Sequence, residues 1–236
     1  MAFPKISHPT FAVEIPSSKK KITMRPFLVK EEKILLMAKA SEDPSDILAA
    51  IKQIVNNCVV DTKFDIDAIT IFDLEYMFIK LRSASVNNVS KLVYKDLEDE
   101  KDYTFEIDLN ELKVEFPKET SNKITISPTS GIIMKYPPAS LYDDKEFLNS
   151  DDESLFELIV RCVDKVYDGE EMFSAANHSK ADVADFLENL DVKTFDAIRE
   201  FLSNVPKIAY TIKYKNSLGH DRKIELNTLS DFFTLR

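Results

Sequence analysis

Glycine is scarce in this chain, with three residues among 236. Phosphate-cradling loops need several glycines at fixed spacing, so that backbone N–H groups can approach the ligand unobstructed. Neither common nucleotide loop can be built here. Cysteine is as thin. Cys58 and Cys162 are too few and too separated for a zinc site. Each lies on the apolar stripe of an expected helix, so buried free thiols are favoured over a disulfide. The three histidines, His8, His178 and His220, stand in loop-like settings with no cysteine or acid at ligand spacing. There is no Gly-x-Ser-x-Gly elbow. Acid pairs such as Asp151 with Asp152 sit in polar segments that offer nothing to raise one pKa. These absences argue against a classical enzyme, and no catalytic residue, metal or cofactor is expected. No apolar run approaches a membrane span. Met1 to Pro16 lacks an apolar signal core, which makes the cytoplasm the expected place of synthesis. Positive charge is also in deficit. The 31 basic residues against 41 acidic ones leave a formal net charge of -10, which argues against nonspecific nucleic-acid binding. The basic cluster Lys19-Lys20-Lys21 is a local exception, and salt-sensitive DNA retention would be its mark.

What is present is pattern. The length suffices for one large domain or two small ones. Phe11, Val13 and Ile15 alternate in a proline-bearing segment, as in an edge strand or in an arm lying on a neighbouring subunit. A first helix is expected from about Lys30 to Ala40. Its continuous apolar run, Ile34 to Ala38, suggests cover on most sides. Asp43 and Pro44 fit the cap and first position of a second helix, in which Ile47, Leu48, Ile51, Ile54, Val55 and Cys58 form the clearest amphipathic stripe. A third helix spans about Ile69 to Arg82, with Ile71, Leu74, Phe78 and Leu81 on one face. The period then changes. Short strands are expected at Lys91 to Tyr94, Tyr103 to Leu109, Leu112 to Phe116 and Lys123 to Ile126. The acidic turn from Asp96 to Asp102 lacks the EF-hand ligand order and reads as a solvated hairpin tip. Gly131 to Pro138 fits either a last strand of the sheet or an exposed docking segment. Leu155, Phe156, Ile159, Cys162, Val163 and Val166 read as a helical stripe. Ser179 with Asp182 resembles a capping box, and a second short helix carries Phe195, Ile198, Phe201 and Leu202. Asp196 and Glu200 beside Arg199 favour a structural helical hairpin over a DNA-reading one. A closing β-hairpin turns at Asn216-Ser217-Leu218-Gly219. Asn227 can cap a last helix with Leu229, Phe232 and Phe233 apolar.

Three segments carry a resemblance. They are Ile22 to Cys58, with its Arg-Pro-Phe-x-Val-Lys-Glu-Glu-Lys-x-Leu-Leu start and Ile-Lys-Gln-Ile-Val-Asn-Asn-Cys end; Phe72-Asp73-Leu74-Glu75-Tyr76 with Leu81-Arg82 and Ala84-Ser85; and Gly131 to Pro138. Together they resemble the baseplate hub assembly protein family of T-even-like contractile-tailed bacteriophages. The resemblance covers residues 20 to 138, and the remainder follows in order of elements. It implies a role in building the central hub of the tail baseplate, as a component or as an assembly factor that leaves. Some relatives carry a Cys-x-x-Cys pair near the last hairpin. Lys213 to Leu218 hold no cysteine, so a metal-clipped hairpin is not expected.

The expected fold is therefore α+β. N-terminal helices accompany a central antiparallel sheet, and a helical C-terminal part ends in a β-hairpin. A soft boundary between 138 and 139 would separate an α+β domain with its arm, 1–138, from the mostly helical part with the terminal hairpin, 139–236, with one continuous domain as the alternative. The expected partners are other phage baseplate hub proteins, with self-association left open and neither nucleic acid nor a membrane span involved. The expected location is the host cytoplasm during assembly and, for a component, the virion tail baseplate. The candidate partner contacts are Phe11, Val13, Ile15, Ile132, Ile133, Met134 and Tyr136. The alternatives are a transient tail-assembly chaperone absent from the virion and, more remotely, a small hydrolase with an unrecognised site.

Overall fold

A computed structural model describes residues 6–41, 43–118, 121–144 and 154–232. Chain contacts divide the protein into two units, 1–115 with 207–236 and 116–206. The acid pair Asp151 and Asp152, Phe233 and the first five residues of the expected arm lie outside the described residues.

In the first unit, β1 (Phe11–Glu14) pairs antiparallel with β2 (Lys21–Met24), with Val13 opposite Ile22. The alternation at the N-terminus thus belongs to a local hairpin. Val13, Ile15, Ile22 and Met24 turn inward and are buried. Helix α1 (Val29–Ala40) follows, then α2 (Pro44–Cys58), where Asp43 caps as its type predicts by accepting from the Ser45 amide at 2.9 Å. Ile51, Ile54, Val55 and Cys58 of the stripe are buried. Helix α3 (Ile71–Ser85) starts on a reciprocal capping box between Thr70 and Asp73. Asp73 also accepts from the Ser17 amide and hydroxyl at 2.9 and 2.5 Å, which ties the first hairpin to this helix start. Strands β3 (Val89–Lys95) and β4 (Asp102–Asp108) form a second hairpin. Lys80 reaches the carbonyls of Leu109, Asn110 and Leu112 at 3.1, 2.8 and 3.3 Å and so fixes the loop after β4. Strand β5 (Val114–Glu115) closes this part.

The second unit holds a four-stranded antiparallel sheet in sequential order. Its strands are β6 (Lys123–Thr125), β7 (Ser130–Met134), β8 (Val163–Asp168) and β9 (Glu171–Ser174). Helix α4 (Ser154–Cys162) leads directly into β8, and α5 (Lys180–Glu188) and α6 (Val192–Ser203) make the expected helical hairpin. A core of Ile124, Ile132, Met134, Ile159, Val163, Ile198 and Phe201 joins helices and sheet. The helical stripe read through Val166 is corrected here, because the helix stops at Cys162. Val163 and Val166 also satisfy a strand, and Gly169-Glu170, with Gly169 at φ +60, supplies a two-residue hairpin turn between the paired Asp168 and Glu171. Pairing with β7 overrides the helical period. Gly131 to Pro138 starts with all but the first residue of β7, an inner strand of this sheet. The soft boundary at 138 would separate β7 from β8, which are paired at Ile132 and Val166.

The chain returns to the first unit through β10 (Lys207–Ile208), which pairs with β5. Strands β11 (Tyr210–Lys215) and β12 (Asp221–Leu226) form the closing hairpin, with Gly219 of its turn at φ +83, a left-handed value that suits glycine. Short helix α7 (Leu229–Phe232) follows. Asp231 accepts from the Asn227 and Thr228 amides, so the cap of this helix comes from inside it. The fold is mixed α+β with antiparallel sheets.

Candidate functional site

The buried polar groups are occupied structurally. Glu31 on the first turn of α1 is fully covered. Arg25, just past β2, grips it with two bonds of 2.9 and 3.3 Å and also binds the Asn57 carbonyl at 2.8 Å. The Leu28 amide donates to the same carboxylate at 2.9 Å. Burial pushes the Glu31 carboxyl up, but the bonds from Arg25 and Leu28 outweigh it and hold the group below its ordinary range. The Arg and Glu of the opening motif therefore knit β2, α1 and the end of α2 together.

A second network joins two hairpin tips, β3–β4 and β11–β12. Asp96 is completely covered and accepts from the Tyr214 hydroxyl at 2.6 Å and from Arg222 Nε at 3.1 Å. Glu98 takes the Asn216 amide at 2.7 Å and meets His220 Nδ1 at 2.7 Å. Asp99 accepts from Tyr103 at 2.6 Å and from the Ser217 amide at 2.9 Å. The bond from Tyr214 keeps the Asp96 carboxyl below its usual range, and burial first, then Asp96, pushes the Tyr214 hydroxyl up to about 12. The acidic turn is the largely exposed hairpin tip its composition suggested, but Asp96 within it is buried, and Asp96, Glu98 and Asp99 are tied to the second hairpin. Its acceptors meet donors more than a hundred residues away, a pairing with no local signature.

Cys58 and Cys162 are free and buried as expected, and burial raises their thiols to about 11 and about 12, which makes them poor nucleophiles. Among the described residues, no group of three or more His, Cys, Asp or Glu could hold a metal ion, and no buried side-chain nitrogen or oxygen lacks a partner. No described helix is long and apolar enough to cross a membrane.

Surface features remain. Of the expected partner contacts, Val13 and Ile15 are buried in the first unit, and Ile132 and Met134 in the second. Those four side chains are spent on the protein's own cores. Phe11, Ile133 and Tyr136 are half-buried, and Tyr136 stacks on Phe201 with ring centroids 5.3 Å apart. The expectation that α1 is covered on most sides is also corrected. Val29, Leu36 and Met37 are 67, 59 and 75% exposed. Successive turns place Val29, Leu36 and Ala40 on one outward line beside Met37, with Lys33 among them. The apolar run was legible, but its second side faces outward because α2 covers the first.

This is a protein whose buried ionic chemistry holds hairpins and helices together and whose apolar chemistry reaches the surface on a helix: the makeup of a structural or binding protein. A family model described as "T4 bacteriophage base plate protein" matches residues 8–234, and the chain belongs to that family. No curated protein matches it. No solved structure matches it.

Proposed function

We propose that this baseplate protein acts in assembly of the tail baseplate hub through contacts with other phage hub proteins, as a component or as an assembly factor. It would work in the host cytoplasm during assembly and, as a component, remain in the virion baseplate. The observation that supports this reading is the outward apolar face of α1, which lies within the segment bearing the opening motif. A helix with apolar residues around its circumference needs cover on more than one side. Leu36 and Met37 stay exposed, and a partner surface would supply that cover.

The test is the double variant Leu36→Ser/Met37→Ser, produced in infected cells and recovered with whatever hub proteins accompany it. Neither side chain is in the core, so thermal stability is expected to stay within a few degrees of the native chain, about the effect of a surface change. Co-purifying hub proteins are expected to fall away. Undiminished recovery of those proteins would overturn the assignment of this face. Mass spectrometry of purified particles separates the roles: stoichiometric presence marks a component, absence a departing factor.

A further inference from the structure

The outward line of α1 has the period of a helix-pairing seam. Val29 and Leu36 stand seven residues apart, as do Lys33 and Ala40, and the two pairs interleave at steps of four, three and four. Positions repeating in this way form one stripe along a helix and meet a second helix running beside it, side chains of each fitting between those of the other. All four residues are exposed. Ile34, Leu35 and Ala38 turn the other way and are half-buried, so the protein covers only that side of the helix itself.

The charge around the seam is mostly positive. Lys33 lies within it, Lys30 and Met37 flank it on one side, and Glu32 and Lys39 flank it on the other. Three ammonium groups thus stand against one carboxylate, in a chain where 41 acidic residues outnumber 31 basic ones. Lys30 lies 3.5 Å from Glu31, whose carboxylate Arg25 already holds. Neither Lys33 nor Lys39 is in an ion pair among the described residues. A lysine inside such a seam sets the register of the pair, and flanking charges choose the partner. A second copy of this chain is a poor occupant. Two α1 helices side by side, in either direction, would bring both Lys33 side chains into a seam of 12 residues, about 18 Å long, with no carboxylate among its inward positions.

We propose that α1 pairs with an amphipathic helix of another baseplate protein. The apolar stripe of that helix covers Val29, Leu36, Met37 and Ala40, and its carboxylates face Lys33 and Lys39. Docking of this kind reads anchors at steps of three and four. The pairing rests on the assembly reading of the α1 face and names the partner which that reading leaves open, a helix with an acidic margin.

The test places the photo-crosslinking amino acid benzoylphenylalanine at Met37 of the full chain in infected cells, with the exposed Leu97, in the turn between β3 and β4, as control position. After irradiation the crosslinked peptide is sequenced. The expected product joins position 37 to a segment of another baseplate protein with apolar residues at steps of three and four and carboxylates beside them. Lys33→Glu sets a carboxylate against carboxylates and should reduce the product about tenfold, with the circular dichroism of the purified variant unchanged because the side chain is exposed. Exchanging the facing carboxylate of the crosslinked segment for lysine should restore the product in Lys33→Glu, a rescue that a merely misfolded variant would not show. A product insensitive to Lys33→Glu, a loss that no charge exchange restores, a segment without helical spacing or without carboxylates, a product only with a second copy of this chain, or equal crosslinking from Leu97 overturns the proposal. If Leu36→Ser/Met37→Ser releases the hub proteins while Lys33→Glu does not, the acidic helix is refuted and the assembly reading of this face stands. If no hub protein co-purifies at all, the assembly reading fails as well.

Discussion

Replacing Arg25 by methionine removes the cation that holds Glu31 and leaves the carboxylate in place. Arg25 makes two bonds to that carboxylate, at 2.9 and 3.3 Å, and one each to the Asn57 and Pro26 carbonyls, at 2.8 and 3.0 Å. Glu31 then keeps the Leu28 amide at 2.9 Å and the exposed Lys30 ammonium at 3.5 Å. Breaking one side of a buried ion pair costs about 3–5 kcal/mol. The surviving bond and the aliphatic bulk of methionine offset part of this, so a loss of about 3 kcal/mol is expected. The pH dependence has a definite sign. In the native chain the folded-state Glu31 carboxyl lies below its ordinary 4.5. Its contribution is therefore complete above that value and lost as pH falls through the folded one. In Arg25→Met burial dominates, the folded value rises above the unfolded one, and protonation relieves the isolated charge. The deficit against the native chain should then shrink from about pH 7 towards pH 4.5. Urea denaturation followed by circular dichroism measures this, since the chain has no tryptophan. Arg25→Met/Glu31→Leu should recover most of the loss, because neither charge remains. A single variant as stable as the native chain at neutral pH, or a deficit that ignores pH, refutes the reasoning.

Two further substitutions probe the cores. A Cβ at Gly131 would lie 2.3 Å from the Ile124 carbonyl and 2.4 Å from the Tyr167 hydroxyl, so Gly131→Ala should lower stability by about 2 kcal/mol in a urea titration, and an unchanged midpoint would contradict the close approach. Ile51→Asp puts a charge at a buried position of α2 and should cost about 3 kcal/mol or more; native thermal stability would sink the stripe assignment.

Local physics was legible where the cause was local. Asp43 with Pro44, Ser179 with Asp182, and the stripe Ile51, Ile54, Val55 and Cys58 all do what their spacing dictates. Reading failed where a distant partner decided the outcome. Val163 and Val166 suit a helix or a strand, and only β7 selects between them. The carboxylates of Asp96 and Asp99 look solvated until Tyr214, Arg222 and Ser217 arrive from the other end of the chain. Burial of four expected contact residues has a related reason. Strong apolar alternation, as at Val13 and Ile15 or Ile132 and Met134, marks residues the protein buries for itself. A docking surface is better sought where such a pattern outruns the available cover, as on α1.

The division of the chain can be tested directly. Glu115 and Lys207 stand opposite one another in the β5–β10 pair, so the second unit leaves and re-enters the first at one place. Its buried core, from Ile124 to Leu202, is drawn wholly from residues 116–206. An inserted unit with its own core and adjoining attachment points is expected to fold alone. The fragment 116–206 should therefore unfold cooperatively in urea, and the first unit with Asn-Gly in place of those residues should retain its helical circular dichroism, the two-residue turn closing β5 onto β10. A fragment cut at residue 139 loses β6 and β7, leaving β8 without its inner neighbour and Ile159, Val163 and Ile198 without Ile132. That fragment should show no cooperative transition. A cooperative transition in 139–236 together with none in 116–206 would reverse the division and return the boundary to the end of the Gly131 to Pro138 segment.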